Sequence, residues 1–147
     1  MIIDDKLVRY VLFKRRTESE VRNKCNQLKY EEDYIEQVIE YLKEAEYIND
    51  KTYVEKYINN VKKLKHSSIN EMRIDLMRRG VDLDLIDEGL SDEELEDFEL
   101  ESAIYLVNKR MKSGEDIEKT KKYLMNKGYS YSNVSKAIDN FKNIDDN

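Results

Sequence analysis

The sequence predicts an all-α protein made of three tandem three-helix repeats that form an elongated, curved array. Three observations lead there. The chain has no proline and four glycines in 147 residues, and 39% of it is charged, mostly Glu and Lys, which favour helix where proline and glycine break it. Apolar residues recur with a period of about 50 residues. Helix-capping residues recur with the same period.

The repeat is clearest from Ser68 to Leu90. Forty-eight positions on, Ile69, Leu76, Gly80, Val81, Ile86 and Leu90 fall on Ile117, Leu124, Gly128, Tyr129, Val134 and Ile138. Fifty-one positions back, Met72, Leu76, Val81, Leu85, Ile86 and Leu90 fall on Val21, Cys25, Tyr30, Tyr34, Ile35 and Ile39. The preceding helix follows suit, with Ile58, Val61 and Leu64 matching Leu7, Tyr10 and Phe13, and with Tyr57 and Ile58 matching Tyr105 and Leu106. Such self-similarity is the mark of a repeat architecture in which each unit buries its apolar stripe against its own helices and its neighbours.

Helices are expected over 5–13, 18–28 and 32–45, then 51–64, 69–79 and 83–90, then 92–112, 117–127 and 131–142. A helix start leaves four N–H groups unpaired, and Ser, Thr, Asp or Asn can accept from them. Thr17, Ser68 and Asp116 stand at equivalent starts. Glu20 and Glu71, three residues after the first two, complete capping boxes, and Ser91 with Glu94 is expected to make another. Gly80 and Gly128 supply the left-handed residue that ends a helix, with Asp82 and Ser130 placed to cap the next. Lys29 stands where the first unit lacks that glycine, so its corner is expected to be built differently. The units are expected to span 1–47, 48–90 and 91–147.

A net charge of -6 and a pI near 5.0 argue against a protein that grips bare nucleic acid over its whole surface. Cys25 is the one cysteine, which excludes an internal disulfide and an all-cysteine metal cage and fits a reducing compartment. It matches Leu76 and Leu124, so a buried apolar role is expected. The start, MIIDDKLVRYVLFKRR, lacks the order of a secretory signal. No run reaches the roughly 18 apolar residues of a membrane span, and a cytoplasmic, soluble monomer is expected. The first repeat is expected to begin almost at once, without an extra leading domain.

Arg9 to Cys25, RYVLFKRRTESEVRNKC, followed by Ile35 to Ile58, IEQVIEYLKEAEYINDKTYVEKYI, and by LMRRGVDLDLI, resembles the RecX regulators of bacterial recombination. The order of parts carries the likeness: a short first helix, the Arg-Thr-x-x-Glu-Val cap, the Asn-Asp-x-x-Tyr start of the next unit and the Gly-Val corner. It covers nearly the whole chain. Val54, where the family commonly has alanine after the aromatic Tyr53, is a departure. The resemblance implies a tandem helical protein that binds in the groove of the RecA filament on single-stranded DNA. There it would inhibit ATP hydrolysis and strand exchange, in DNA repair, recombination and the SOS response.

Charge also recurs with the repeat. Lys14, Arg15 and Arg16 end the first helix of unit one, Lys62, Lys63 and Lys65 that of unit two, and Lys109, Arg110 and Lys112 that of unit three. These corners, with Arg78, Arg79, Lys121 and Lys122, are the candidate contacts to RecA or to DNA phosphates. The helix dipole favours cations at these ends by about 0.3–1 kcal/mol each, so capping alone also accounts for them. The acidic run Asp92 to Glu101 reads as a solvated helix start, and Asp50 as a cap of the helix it opens. Of eleven tyrosines, Tyr10, Tyr30, Tyr34, Tyr57, Tyr105 and Tyr129 are expected in the core, and Tyr41 and Tyr131 at the surface. His66 has no second histidine beside it and no motif around it. With no phosphate-binding glycine loop, H-E-x-x-H or G-x-S-x-G, no catalytic residue, metal or cofactor is expected. A direct single-stranded nucleic-acid-binding module, using the basic corners and interleaved tyrosines, is the alternative to a RecA regulator.

Overall fold

The computed structural model describes residues 1–145; Asp146 and Asn147, the end of the expected third unit, lie outside the described residues. Those residues form nine helices and no strand. They are α1 (Asp5–Phe13), α2 (Glu18–Gln27), α3 (Glu32–Glu44), α4 (Asp50–Leu64), α5 (Ile69–Arg78), α6 (Leu83–Leu90), α7 (Glu93–Lys112), α8 (Ile117–Asn126) and α9 (Tyr131–Asp145). Eight of the nine end within one residue of the expected position, and α9 runs three residues further.

The repeat is visible in what is buried. Val21, Met72 and Thr120 share one repeat position and are fully buried, as are Cys25, Leu76 and Leu124 at the next. Ile35, Ile86 and Val134 form a third set and Ile39, Leu90 and Ile138 a fourth, all buried. The apolar members of each set are divided among three separate clusters, one per unit. One runs from Leu7 to Ile48, one from Tyr53 to Leu95 and one from Ala103 to Ile138. Three small cores in series expose more surface than one large core does. The 17.6 kDa chain exposes 9789 Å², against about 7,900 Å² for a compact monomer of that mass.

Several expectations need correction. The corner at Lys29 is built like the other two, because Lys29 takes φ 62, as Gly80 takes φ 82 and Gly128 φ 92. Ser91 does not open α7. It closes α6, its hydroxyl donating to Glu88 O at 2.7 Å, while Asp92 accepts from Glu94 N–H. Asp50 is not the cap of its own helix, because Asn49 accepts from Thr52 N–H in that role. Tyr105 lies at the surface, 46% exposed. Tyr129 is buried, Tyr10, Tyr30, Tyr34 and Tyr57 are half-buried, and Tyr41 and Tyr131 are exposed as expected.

Candidate interaction surface and the joints that position it

The units are joined by a set of contacts that occurs twice. At the start of α2 the Thr17 hydroxyl accepts from Glu20 N–H at 3.1 Å and donates to Arg79 O, at the end of α5, at 2.7 Å. At the start of α5 the Ser68 hydroxyl accepts from Glu71 N–H at 3.0 Å and donates to Lys127 O, at the end of α8, at 2.8 Å. The end of each middle helix thus meets the start of the middle helix one unit back, and opposite ends of two helix dipoles face each other.

A carboxylate from the following unit completes each joint. Asp50, in the first turn of α4, accepts from Glu18 N–H at 2.9 Å. Glu99, inside α7, accepts from Ile69 N–H at 3.0 Å. The two donors are equivalent residues, the first of α2 and of α5. Glu99 also accepts from Asn133 Nδ2 at 2.6 Å and from Ser130 N–H, at the start of α9. The acidic run Asp92 to Glu101 is therefore not wholly solvated, since Glu99 is 2% exposed.

The joints account for the glycines and for their absence from the first unit. A Cβ on Gly80 would lie 2.2 Å from Ser19 Oγ, and one on Gly128 2.8 Å from the Asn70 side chain. Both corners are pressed against the start of another helix. Lys29, at the outer end of α2, is exposed, so a side chain fits and only the left-handed conformation is unfavourable. At the other end, Asp116 caps α8 by accepting from Lys119 N–H. An ionised carboxylate cannot also donate to a carbonyl as Thr17 and Ser68 do.

These elements place the candidate cations in two groups. Arg16 lies over the Tyr10 ring at 3.7 Å and its Nε donates to Tyr10 O at 3.1 Å. Arg79 donates to Tyr53 Oη at 2.5 Å and pairs with Asp75. Burial works against the Arg79 charge, but Tyr53 and Asp75 outweigh it and hold the guanidinium more basic than usual. Arg110 lies over the Tyr123 ring at 4.0 Å, while Lys62 pairs with Glu94 and Lys121 with Glu118. These five serve internal contacts. Lys14, Arg15, Lys63, Lys65, Arg78, Lys109, Lys112 and Lys122 make no side-chain hydrogen bond or ion pair among the described residues, and all eight are exposed. Every unit carries some of them.

Sequence reasoning did not single out three features. Glu99 is hidden in an acidic run that looks uniform, and only its fall near the position of Asp50 when α7 is laid on α4 hints at it. Leu64 and Phe13, equivalent residues at the ends of α4 and α1, are 78% and 81% exposed beside the basic corners. The third is a ring pair. His66, in the α4–α5 connection, stacks on Tyr105 of α7 with centroids 3.8 Å apart and planes 10° from parallel.

No group of three or more potential metal-ligating side chains lies together among the described residues. No helix among them is long and apolar enough to cross a membrane. The architecture is that of a helical-repeat protein, in which consecutive units present a continuous surface to a partner.

No family model matches the chain. Regulatory protein RecX of Clostridium botulinum (strain Eklund 17B / Type B) is 35% identical over 131 residues, 84% of this chain and 60% of that protein. Regulatory protein RecX of Lactococcus lactis subsp. cremoris (strain SK11) is 32% identical over 90% of this chain and 52% of its own length. The crystal structure of RecX from Lactobacillus salivarius superposes with a TM-score of 0.84 at 25% identity, covering 94% of this chain and 93% of that one. In sequence and in fold the chain is similar to RecX proteins over most of its own length. It spans 52% to 64% of the length of these and similar curated relatives.

Proposed function

We propose that this chain regulates a RecA recombinase in the cytoplasm by docking on its DNA-bound filament, and that it inhibits ATP hydrolysis and strand exchange without a catalytic group of its own. The observation that carries this reading is the likeness, over nearly the whole chain, to proteins named Regulatory protein RecX. A filament offers the same protein surface at regular intervals. A repeat array with unpaired cations in every unit is suited to meet such a surface, each unit adding to the others through effective concentration. The units that act here are 1–47, 48–90 and 91–147, in a monomer. The contacts assigned are the free cations: Lys14 and Arg15 in unit one, Lys63, Lys65 and Arg78 in unit two, and Lys109, Lys112 and Lys122 in unit three.

The test is DNA-dependent ATP hydrolysis by the cognate recombinase, with and without purified protein. Hydrolysis is expected to fall as protein is added and to be restored when these eight cations are reversed in charge, with the circular dichroism spectrum unchanged. No effect at saturating protein would sink the reading, and full inhibition by the charge-reversed form would remove the cations from it.

A further inference from the structure

We propose that the second joint carries a binding site for an unpaired base of single-stranded nucleic acid, with the stacked His66–Tyr105 pair as its platform. This goes beyond docking on a recombinase, because the site would engage a strand by itself.

The rings are parallel, 3.8 Å apart, and lie at the surface. The repeat shows what Tyr105 lacks. Its equivalent, Tyr57, is closed off: its hydroxyl donates to Asp75 at 2.7 Å, and the Arg79 guanidinium lies over its ring at 5.1 Å. In unit three the counterparts of Asp75 and Arg79 are Tyr123 and Lys127. Neither repeats that contact, since Lys127 instead lies over the Tyr123 ring and pairs with Glu71. Tyr105 is thus the copy whose ring is left to His66 and solvent.

The surroundings supply the other needs of a single strand. His66 lines two clefts. The larger, about 470 Å³, is also lined by Lys65, Asn70, Arg78 and Asn126. The smaller, about 230 Å³, is also lined by Lys63, Lys65 and Phe98. Carboxamides such as those of Asn70 and Asn126 can donate to and accept from a base edge. Along α7, Tyr105, Lys109 and Lys112 stand at i, i+4 and i+7 and therefore share a face. A base stacked on the ring pair would leave its backbone within reach of unpaired lysines. Proteins that hold single strands combine such aromatic faces with a basic track. Because the chain as a whole is acidic, with a net charge of -6, phosphate attraction alone is weak, and the ring contact must supply a large share of the affinity.

His66 is the single histidine, so its imidazole protons give an isolated reporter in proton NMR. The experiment titrates the protein, with no recombinase present, with a short oligothymidylate and with an abasic strand of equal length and charge. The His66 signals are expected to move upfield with the base-bearing strand only, as a base ring stacks on the pair. Anisotropy should show binding about five- to tenfold weaker for Tyr105→Ala and nearly unchanged for Tyr105→Phe, the size expected for one lost stacking contact. The proposal is overturned if the abasic strand binds equally well, if the His66 signals stay still while anisotropy rises, or if neither strand binds at low salt. None of these results bears on recombinase inhibition, which is read separately.

Discussion

At the first joint Asp50 reaches the start of α2 across an open cleft of about 630 Å³ lined by Glu18, Arg22, Lys43 and Asp82. At the second, Glu99 does the same for α5 from a position 2% exposed, among Ser67, Ser102 and Asn133, which are also buried. In addition α7 packs along α5 across the second joint. One hydrogen-bond pattern therefore sits in two dielectric settings. Bonds in the open cleft can be replaced by water and contribute little net, whereas of the three donors to Glu99 only Asn133 Nδ2 has a second acceptor, Glu96 at 3.5 Å. The array should be stiff between units two and three and more compliant between units one and two.

The largest effect that tests this contrast is expected from Glu99→Ala. It takes the acceptor from the half-buried Ile69 N–H and leaves the buried Asn133 Nδ2 only a long bond to Glu96, 3.5 Å, and should cost on the order of 3 kcal/mol in urea unfolding. Asp50→Ala removes the matching acceptor from an open cleft and should cost about 1 kcal/mol or less. Equal losses would show that the two joints do not differ.

The corner residues come next. Gly128→Ala forces a side chain into a left-handed position already touching Asn70 and should cost about 2 kcal/mol. Lys29→Gly, at the equivalent but outer corner, should leave stability unchanged or raise it by up to about 1 kcal/mol. Destabilisation there would mean that the side chain has a packing role.

Removing the bifunctional caps, by Ser68→Ala or Thr17→Val, should cost about 1–2 kcal/mol each. The smallest effect is a pH dependence at the first joint. Burial pushes the Asp50 carboxyl up, against the bond from Glu18 N–H that favours its charged form. A raised native pKa means that ionisation disfavours the fold, so Asp50 lowers stability above its native pKa and not below its unfolded one. Asp50→Asn keeps an acceptor oxygen without the charge. It should be slightly more stable than wild type at neutral pH, with the gain vanishing as pH falls through the carboxylate range. Glu18 behaves in the opposite sense. Burial raises its pKa, but the Lys43 and Arg22 bonds outweigh that and lower it, so its contribution is present at neutral pH and lost in acid.

The helices, the caps at Thr17, Ser68 and Asp116 and the buried columns through Cys25, Leu76 and Leu124 were legible because each follows from local chemistry repeated at a fixed offset. Joints are contacts between residues about 60 positions apart, as for Thr17 with Arg79 and Ser68 with Lys127, and no local pattern announces them. Lys29 was misread because a missing glycine looks like a different turn, when the turn is kept and only the neighbour that demands glycine is absent. Tyr105 was misread because an equivalent position does not guarantee an equivalent environment once Asp75 and Arg79 have become Tyr123 and Lys127. Of the candidate cations, Arg16, Arg79 and Arg110 serve tyrosine rings within the protein, a role that charge patterning alone cannot separate from exposure.

Three small cores in series, held by two end-to-end joints, is the claim on which the rest depends, and the radius of gyration from solution X-ray scattering tests it most directly. A compact chain of 147 residues has a radius of gyration of about 15 Å. The array predicts a value clearly above that, and a value at the compact figure would contradict it.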